Sequence, residues 1–173
     1  MARPVYFDTS VFLEIGAKRS KHAKNIRVLL KELKAEKARI YTSIITIQEV
    51  SVLSYRRGKL ARDDYGRVSE FARIVGISKD IALTAAKREA EIKDDGKSDV
   101  EDNRRRKWDC FHIATAQQCN CSVLYTTDEK LLKRQKQLGL ADIKFSVPIA
   151  TGTAELDFSA KPAKEQAAPT PSP

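Results

Sequence analysis

Short runs of β-branched and aromatic residues alternate along the chain with longer segments that carry apolar residues at helical spacing. The strand-like runs occupy residues 4–7, 39–42, 122–126 and 143–147. The helical segments occupy residues 11–15, 22–36, 43–58, 62–73, 79–92, 108–116 and 128–137. Because strands separated by helices pair in parallel, the alternation predicts an α/β fold, namely a three-layer α/β/α sandwich around a central, mostly parallel sheet.

The composition divides the chain into one domain and a tail. A length of 173 residues with 42% hydrophobic residues is enough for one domain with a real core. From about residue 150, prolines punctuate Ala, Thr, Ser and Lys, and large apolar residues become few. We therefore expect a domain over residues 1–150 and a disordered tail over residues 151–173. Residues 94–103 are polar and densely charged, which predicts a loop, and residues 74–77 are too short a run to assign.

Charge and cysteine content limit the partners and the compartment. The net charge of +9 fits a polyanion such as nucleic acid, although charge alone gives only even odds. Three cysteines make an odd count, which implies no disulfide framework and suits a reducing cytoplasm. The sequence contains no apolar run of about 18 residues, so we expect a soluble cytoplasmic protein without a membrane segment. Cys119 and Cys121 lack the spacing of a zinc site, so we interpret the thiols as packing residues.

Two aspartates directly follow predicted strands. Asp8 comes after residues 4–7, and Asp128 comes after residues 122–127. Ligands of open parallel sheets bind outside the carboxyl ends of the strands, so both carboxylates are candidates for a site. Each is also a good helix N-cap, and for either residue alone the cap is the favoured interpretation. Thr9 or Ser10 is an alternative cap for the first helix.

Two further carboxylates lie within apolar segments. Glu49 is surrounded by Ile47, Val50 and other apolar residues, and Asp109 precedes the apolar stretch 111–116. Charge beside a buried face is costly unless it is paired or bound to a metal. A salt bridge from Asp109 to one of the arginines at 104–106 is one explanation. The other is a cluster of carboxylates in one crevice that a divalent cation neutralises, for which Mg²⁺ or Mn²⁺ is the natural choice.

Four segments with candidate acids or hydroxyls occur in order along the chain: residues 5–10 (VYFDTS), 46–50 (TIQEV), 108–116 (WDCFHIATA) and 124–128 (LYTTD). In these segments the sequence resembles the PIN-domain nucleases, in particular the VapC-type toxin ribonucleases, and the resemblance covers roughly the first 150 residues. It implies that Asp8, Glu49, Asp109 and Asp128 are the catalytic, metal-binding acids. It also implies that Thr126 or Thr127 is the hydroxyl residue beside the last acid, and Ser10 can support that site through a hydrogen bond. The charged stretch at 94–107 and the Pro-rich tail depart from the family pattern.

The resemblance implies a metal-dependent endoribonuclease that leaves a 5′-phosphate and a 3′-hydroxyl. Mg²⁺ or Mn²⁺ would be the cofactor, RNA the substrate, and the chain the toxin of a type II toxin–antitoxin module with an antitoxin partner and a homodimeric state. A basic rim suits RNA, and its best candidates are Arg104, Arg105, Arg106 and Lys107. His112 lies one helical turn after Asp109, where a buried, hydrogen-bonded role is favoured over a functional one.

Three alternatives are open. A housekeeping RNA-processing PIN nuclease would have the same acids. A non-catalytic PIN-fold module that binds RNA or a partner would lack one of them, and none is missing. A phosphatase of the haloacid-dehalogenase type needs a second Asp two positions after the first, where this sequence has Ser10.

Overall fold

A parallel five-stranded sheet forms the centre of the computed structural model, which describes residues 3–17, 20–58, 62–92 and 100–149. The strands are β1 (Pro4–Phe7), β2 (Arg39–Ser43), β3 (Arg73–Val75), β4 (Val123–Tyr125) and β5 (Lys144–Ser146). Their order is β3-β2-β1-β4-β5, and every neighbouring pair is parallel. The chain builds one half of the sheet outward from β1 and then returns to the other side of β1. The junction between β1 and β4 is therefore the topological switch point, where a ligand crevice is expected.

Seven helices lie within the described residues. They are α1 (Thr9–Gly16), α2 (Ala23–Ala35), α3 (Ile44–Arg56), α4 (Arg62–Ser69), α5 (Lys79–Glu91), α6 (Val100–Gln118) and α7 (Glu129–Gln137). Polar side chains define several of their starts: Ser43 accepts a hydrogen bond from the amide of Ile45 in α3, and Ser78 does the same for Ile81 in α5. The cap of α1 is Asp8, so the prediction that Thr9 or Ser10 caps this helix is wrong.

Strand β1 is buried on both faces, which makes it the core of the sandwich. Val5 and Phe7 point to one side and pack with Leu29 of α2, whereas Tyr6 points to the other side and packs with Ile113 of α6. Side chains on a strand alternate between faces, so two separate apolar layers meet at this strand. Full burial of each such side chain stabilises the fold by roughly 1.5–3 kcal/mol. The predicted three-layer α/β/α architecture is confirmed.

The structure corrects two sequence predictions. The helix predicted over residues 62–73 ends at Ser69, and Arg73–Val75 forms β3 instead. Its pairing with β2 is long-range and is not visible in a short run of residues. The predicted loop 94–103 is also partly helical, because α6 begins at Val100, and residues 93–99 lie outside the described residues. The predicted tail at 151–173 lies outside them as well.

The three thiols contribute to packing. Cys110 and Cys121 are buried, Cys119 is half-buried, and all three are free. Burial raises the pKa of both Cys110 and Cys121 to about 12, so these thiols stay protonated and unreactive near neutral pH. In the part of the chain that the structure describes, no helix is both long and apolar enough to cross a bilayer.

Candidate active site

A cleft of about 790 Å³ opens at the carboxyl ends of the strands, beside the switch point. Its walls include all four acids singled out in the sequence, namely Asp8, Glu49, Asp109 and Asp128. They come from four separate parts of the fold: the end of β1, helix α3, helix α6 and the loop after β4. The fold thus brings together carboxylates that lie as much as 120 positions apart in the sequence.

Asp8 is held by three donors. Its Oδ2 atom accepts hydrogen bonds from the Ser10 hydroxyl at 2.7 Å, the Ser10 amide at 3.2 Å and the Thr126 hydroxyl at 2.9 Å. The amide of Thr127 donates to the Ser10 oxygen at 2.9 Å, so Thr127 contributes its backbone. Of the two threonines that the sequence singled out, Thr126 and Thr127, Thr126 is the one whose hydroxyl contacts Asp8.

Asp128 is tied to the same group of hydroxyls. Its amide donates to the Thr126 oxygen at 3.0 Å, and its carboxylate accepts from the Lys130 amide at 2.7 Å as the N-cap of α7. Asp8 caps α1 in the same way. Asp8 and Asp128 therefore each cap a helix and also line the cleft, so the interpretation as an N-cap and the interpretation as a site residue are compatible.

Glu49 faces the cleft from α3 and is held by a hydroxyl and an imidazole. Thr9 donates its hydroxyl to Oε2, and Nε2 of His112 lies 3.3 Å from the same oxygen. Burial alone would raise the pKa of Glu49, but the contacts with His112 and Thr9 outweigh it, so the pKa lies below its usual value. Glu49 is thus an anion under neutral conditions.

His112 closes the bottom of the cleft. It is 2% exposed, and its Nδ1 lies 2.7 Å from the Tyr6 hydroxyl, while Nε2 lies 3.5 Å from Oδ1 of Asp8. Burial alone would lower the pKa of this imidazole. The neighbouring Glu49, Asp8 and Asp109 raise it by more than burial lowers it, so the pKa of His112 lies above its usual value. The expectation of a buried, hydrogen-bonded histidine is correct, and this histidine also faces the acids.

Asp109 is a buried acid with a raised pKa. It is 8% exposed, and its pKa is raised to about 7, first by burial and then by the negative charge of Asp8. Nε of Arg134 lies 3.3 Å from Oδ2 and partly offsets this shift. Arg134 lies in α7, so the salt bridge from Asp109 to an arginine is present, but its partner is Arg134 and not one of the arginines at 104–106. Arg134 was not singled out from the sequence, because no motif marks it.

Cationic side chains lie at the mouth of the cleft. Arg56 of α3 and Arg104 and Arg105 of α6 are exposed and line it, whereas Arg106 and Lys107 are not among its lining residues. An anionic floor under a cationic rim suits a hard cation below a bound polyanion. Among the residues described by the structure, however, no three Asp, Glu, His or Cys side chains are already arranged around a common metal position.

The fold and the acid-lined cleft define a doubly wound parallel α/β protein with a site at its switch point. The family model of the PIN domain matches residues 5–137. This match spans most of the chain, so the chain belongs to the PIN domain family. A comparison with curated protein sequences gave no significant match.

Several solved structures share this fold. A toxin–antitoxin complex from Klebsiella pneumoniae is 22% identical with a TM-score of 0.56, covering 83% of this chain and 97% of that chain. VapBC-1 from nontypeable Haemophilus influenzae is 17% identical with a TM-score of 0.56, at the same coverage of 83% and 97%. VapC20 from Mycobacterium tuberculosis, a toxin that cleaves the sarcin–ricin loop, is 18% identical with a TM-score of 0.52, covering 81% and 98%.

The raised pKa of Asp109 predicts a specific dependence of stability on pH. In EDTA, the folded state retains a proton on Asp109 that the unfolded chain releases near its ordinary pKa of 3.8. The free energy of unfolding therefore falls as the pH rises from about 4 to about 7. Asp109→Asn removes this ionisation while keeping an oxygen for Arg134. At pH 8 we expect the free energy of unfolding of the variant to exceed that of the wild type by on the order of 2 kcal/mol. At pH 5 the difference should be smaller.

Urea denaturation at pH 5 and pH 8 measures this difference. Asp63→Asn serves as the matched control, because Asp63 is exposed in α4, away from the cleft. Parallel pH dependence of the wild type and Asp109→Asn would contradict a raised pKa at this carboxyl.

The Tyr6–His112 hydrogen bond predicts a coupling between β1 and α6. Tyr6→Phe removes the partner of Nδ1 of His112, and His112→Leu removes one partner of the Tyr6 hydroxyl, so each change lowers the free energy of unfolding by about 1–3 kcal/mol. Because both changes break the same bond, the double variant should lose less than the sum, by about 1 kcal/mol. Denaturation of all four proteins in EDTA gives this coupling, and strict additivity would show that the bond contributes nothing.

Proposed function

We propose that this chain is a divalent-metal-dependent endoribonuclease, and that residues 1–150 carry the activity. The observation that supports the proposal most directly is the convergence of Asp8, Glu49, Asp109 and Asp128 on one cleft with arginines at its mouth. Membership of the PIN domain family agrees with a nuclease, and the charge of +9 suits an RNA substrate.

The donor set fits Mg²⁺ or Mn²⁺. Both ions prefer oxygen ligands, and the four carboxylates supply them. The charges of Asp8 and Asp128 each raise the pKa of Asp109, which reflects a mutual repulsion that a dication relieves. Each carboxylate already accepts hydrogen bonds within the protein, and these bonds orient the side chains while lone pairs remain on their oxygens for an ion. When bound, a divalent ion lowers the pKa of water and stabilises negative charge on the phosphodiester.

The chain's own residues orient these acids and the substrate. Ser10 and Thr126 fix the carboxylate of Asp8, and Thr9 with His112 fixes that of Glu49. The arginines at the mouth bind phosphates on either side of the scissile bond. A water molecule gives up one proton as its oxygen forms the new bond to phosphorus, the bond from phosphorus to the 3′ oxygen breaks, and the leaving oxygen takes up a proton. The products are a 5′-phosphate and a 3′-hydroxyl.

The similar solved structures support a role as a toxin. The structure from K. pneumoniae is a toxin–antitoxin complex, and the one from M. tuberculosis is a toxin that cleaves the sarcin–ricin loop. We propose that this chain is likewise the toxin of a type II toxin–antitoxin module, acting in the cytoplasm as a homodimer that an antitoxin protein inhibits. A housekeeping RNA-processing nuclease and a non-catalytic RNA-binding module are the alternatives that the following tests distinguish.

The purified protein should cut a mixed single-stranded RNA with Mn²⁺ or Mg²⁺ and leave it intact in EDTA. The Asp8→Asn, Asp109→Asn double variant should lose at least about 100-fold in rate, since removal of a single charge-stabilising group already costs 10²–10³ in many enzymes. Asn keeps the N-cap at position 8, so the variant should fold. The exposed Asp63→Asn variant should cut like the wild type.

Two outcomes would contradict the nuclease. Equal cutting by the double variant would assign the activity to a contaminant. Binding of RNA without cutting, by a folded protein with either metal, would assign the chain to the non-catalytic module. Ligation of the products to a 3′-hydroxyl acceptor checks for the expected 5′-phosphate.

Expression in a bacterial host should arrest growth if the chain is a toxin. The wild type should stop growth within a few doublings, whereas Asp8→Asn, expressed to the same level, should leave growth unchanged because the arrest requires cleavage. Optical density and viable counts measure the effect. Normal growth with a wild-type protein that cuts RNA in vitro would favour the housekeeping nuclease over the toxin.

A further inference from the structure

Helix α6 presents its side chains to the cleft in three tiers. Arg104 and Arg105 are exposed at the mouth, Trp108 is half-buried one turn deeper, and Asp109 and His112 are buried at the floor. Residues three and four apart share a helix face, so one wall runs from cationic through aromatic to anionic. Trp108 thus lies between the arginines that suit phosphate and the acids that suit a metal.

Helices α3 and α1 add apolar side chains to the lining of the cleft. Val52 and Leu53 of α3 and Leu13 of α1 line the cleft, and Leu13 is 37% exposed. Arg56 follows one turn after Val52 and Leu53, at the mouth. Among the lining residues that the structure describes, Trp108 is the only Phe, Tyr or Trp. The cleft therefore contains a band of aromatic and aliphatic side chains in addition to its basic rim and its acidic floor.

Packing explains only part of the position of Trp108. Its ring contacts Phe111 with centroids 6.0 Å apart and planes tilted by 40°. Tyr6 and Tyr125, by contrast, are almost wholly buried in the core. An indole that remains partly exposed in a charged cleft offers a flat apolar surface to a ligand.

We propose that Trp108 forms a base-stacking subsite for the nucleotide next to the scissile phosphate of single-stranded RNA. A nucleotide combines a flat base with an anionic phosphate, which matches an aromatic band beside a cationic rim. The aliphatic side chains of Val52 and Leu53 add apolar surface to the lining of the same cleft. This inference rests on the proposed ribonuclease function and adds the way in which that site holds its substrate.

The chain contains one tryptophan, so its fluorescence reports on this subsite alone. In EDTA, where RNA stays intact, a short single-stranded oligoribonucleotide should quench the fluorescence in a saturable manner. An oligomer of the same length and charge that carries abasic residues should bind more weakly and leave the fluorescence nearly unchanged. This comparison needs no variant, so it is independent of any folding defect.

Variants test the same contact through affinity. Trp108→Leu should weaken binding of a labelled oligoribonucleotide about 10-fold, and Trp108→Phe, which keeps an aromatic face, should weaken it less. Phe111→Leu is the matched control: it makes a similar change on the same helix, in contact with Trp108, at a residue that does not line the cleft. Its affinity should stay close to that of the wild type.

The outcomes separate the subsite from the proposed function. If the wild type cuts RNA but its fluorescence is unchanged and the abasic oligomer binds equally well, the stacking subsite is wrong and the nuclease stands. If Phe111→Leu weakens binding as much as Trp108→Leu, the effect is one of helix packing and the subsite is wrong. If the wild type neither binds nor cuts any RNA, the proposed function fails and the subsite fails with it.

Discussion

Repulsion between carboxylates in one partly buried cleft is the constraint on which the rest of the site depends. Four acids line the cleft, and two of them, Asp8 and Asp109, are less than 10% exposed. Like charges at short range in a medium of low polarity oppose folding. The fold brings them together because the ends of β1 and β4 are adjacent, and the hydrophobic burial of β1 supplies the stability that this requires.

Different hydrogen-bond donors stabilise the individual acids of the cleft. The hydroxyls of Ser10 and Thr126 donate hydrogen bonds to Asp8. The hydroxyl of Thr9 and the imidazole of His112 contact Glu49. Arg134 donates to Asp109. Of these, Arg134 reaches Asp109 from the last turn of α7, the helix that follows β4. His112 is in turn anchored by Tyr6, so the central strand and the floor of the cleft share one hydrogen-bonded chain. The arrangement spreads the cost of the acids over several elements.

The sequence predicted most of the helices and strands, but it did not predict the order of the strands in the sheet. The strands after which Asp8 and Asp128 appear were visible because β-branched runs ended abruptly at a polar residue. Strand β3 was not, because three residues carry too little local signal and their strand form depends on pairing with β2. For the same reason Arg134 was missed: its contact with Asp109 links residues 25 positions apart that only the packing of α6 near α7 brings together. The structure places the four acids predicted from sequence along one cleft, and their chemical roles are proposals.

Asp8 and Asp128 each use one carboxylate both to begin a helix and to face the cleft. The exchange of one oxygen for an NH₂ group, Asp to Asn, preserves the capping oxygen and the shape of the side chain but removes the charge. This substitution should cost the fold little stability, and it reduces the repulsion between the carboxylates. An Asp to Asn change at either position therefore keeps the cap and the fold while it removes a charge from the cleft, so a version of this fold without the full acid set is a single substitution away.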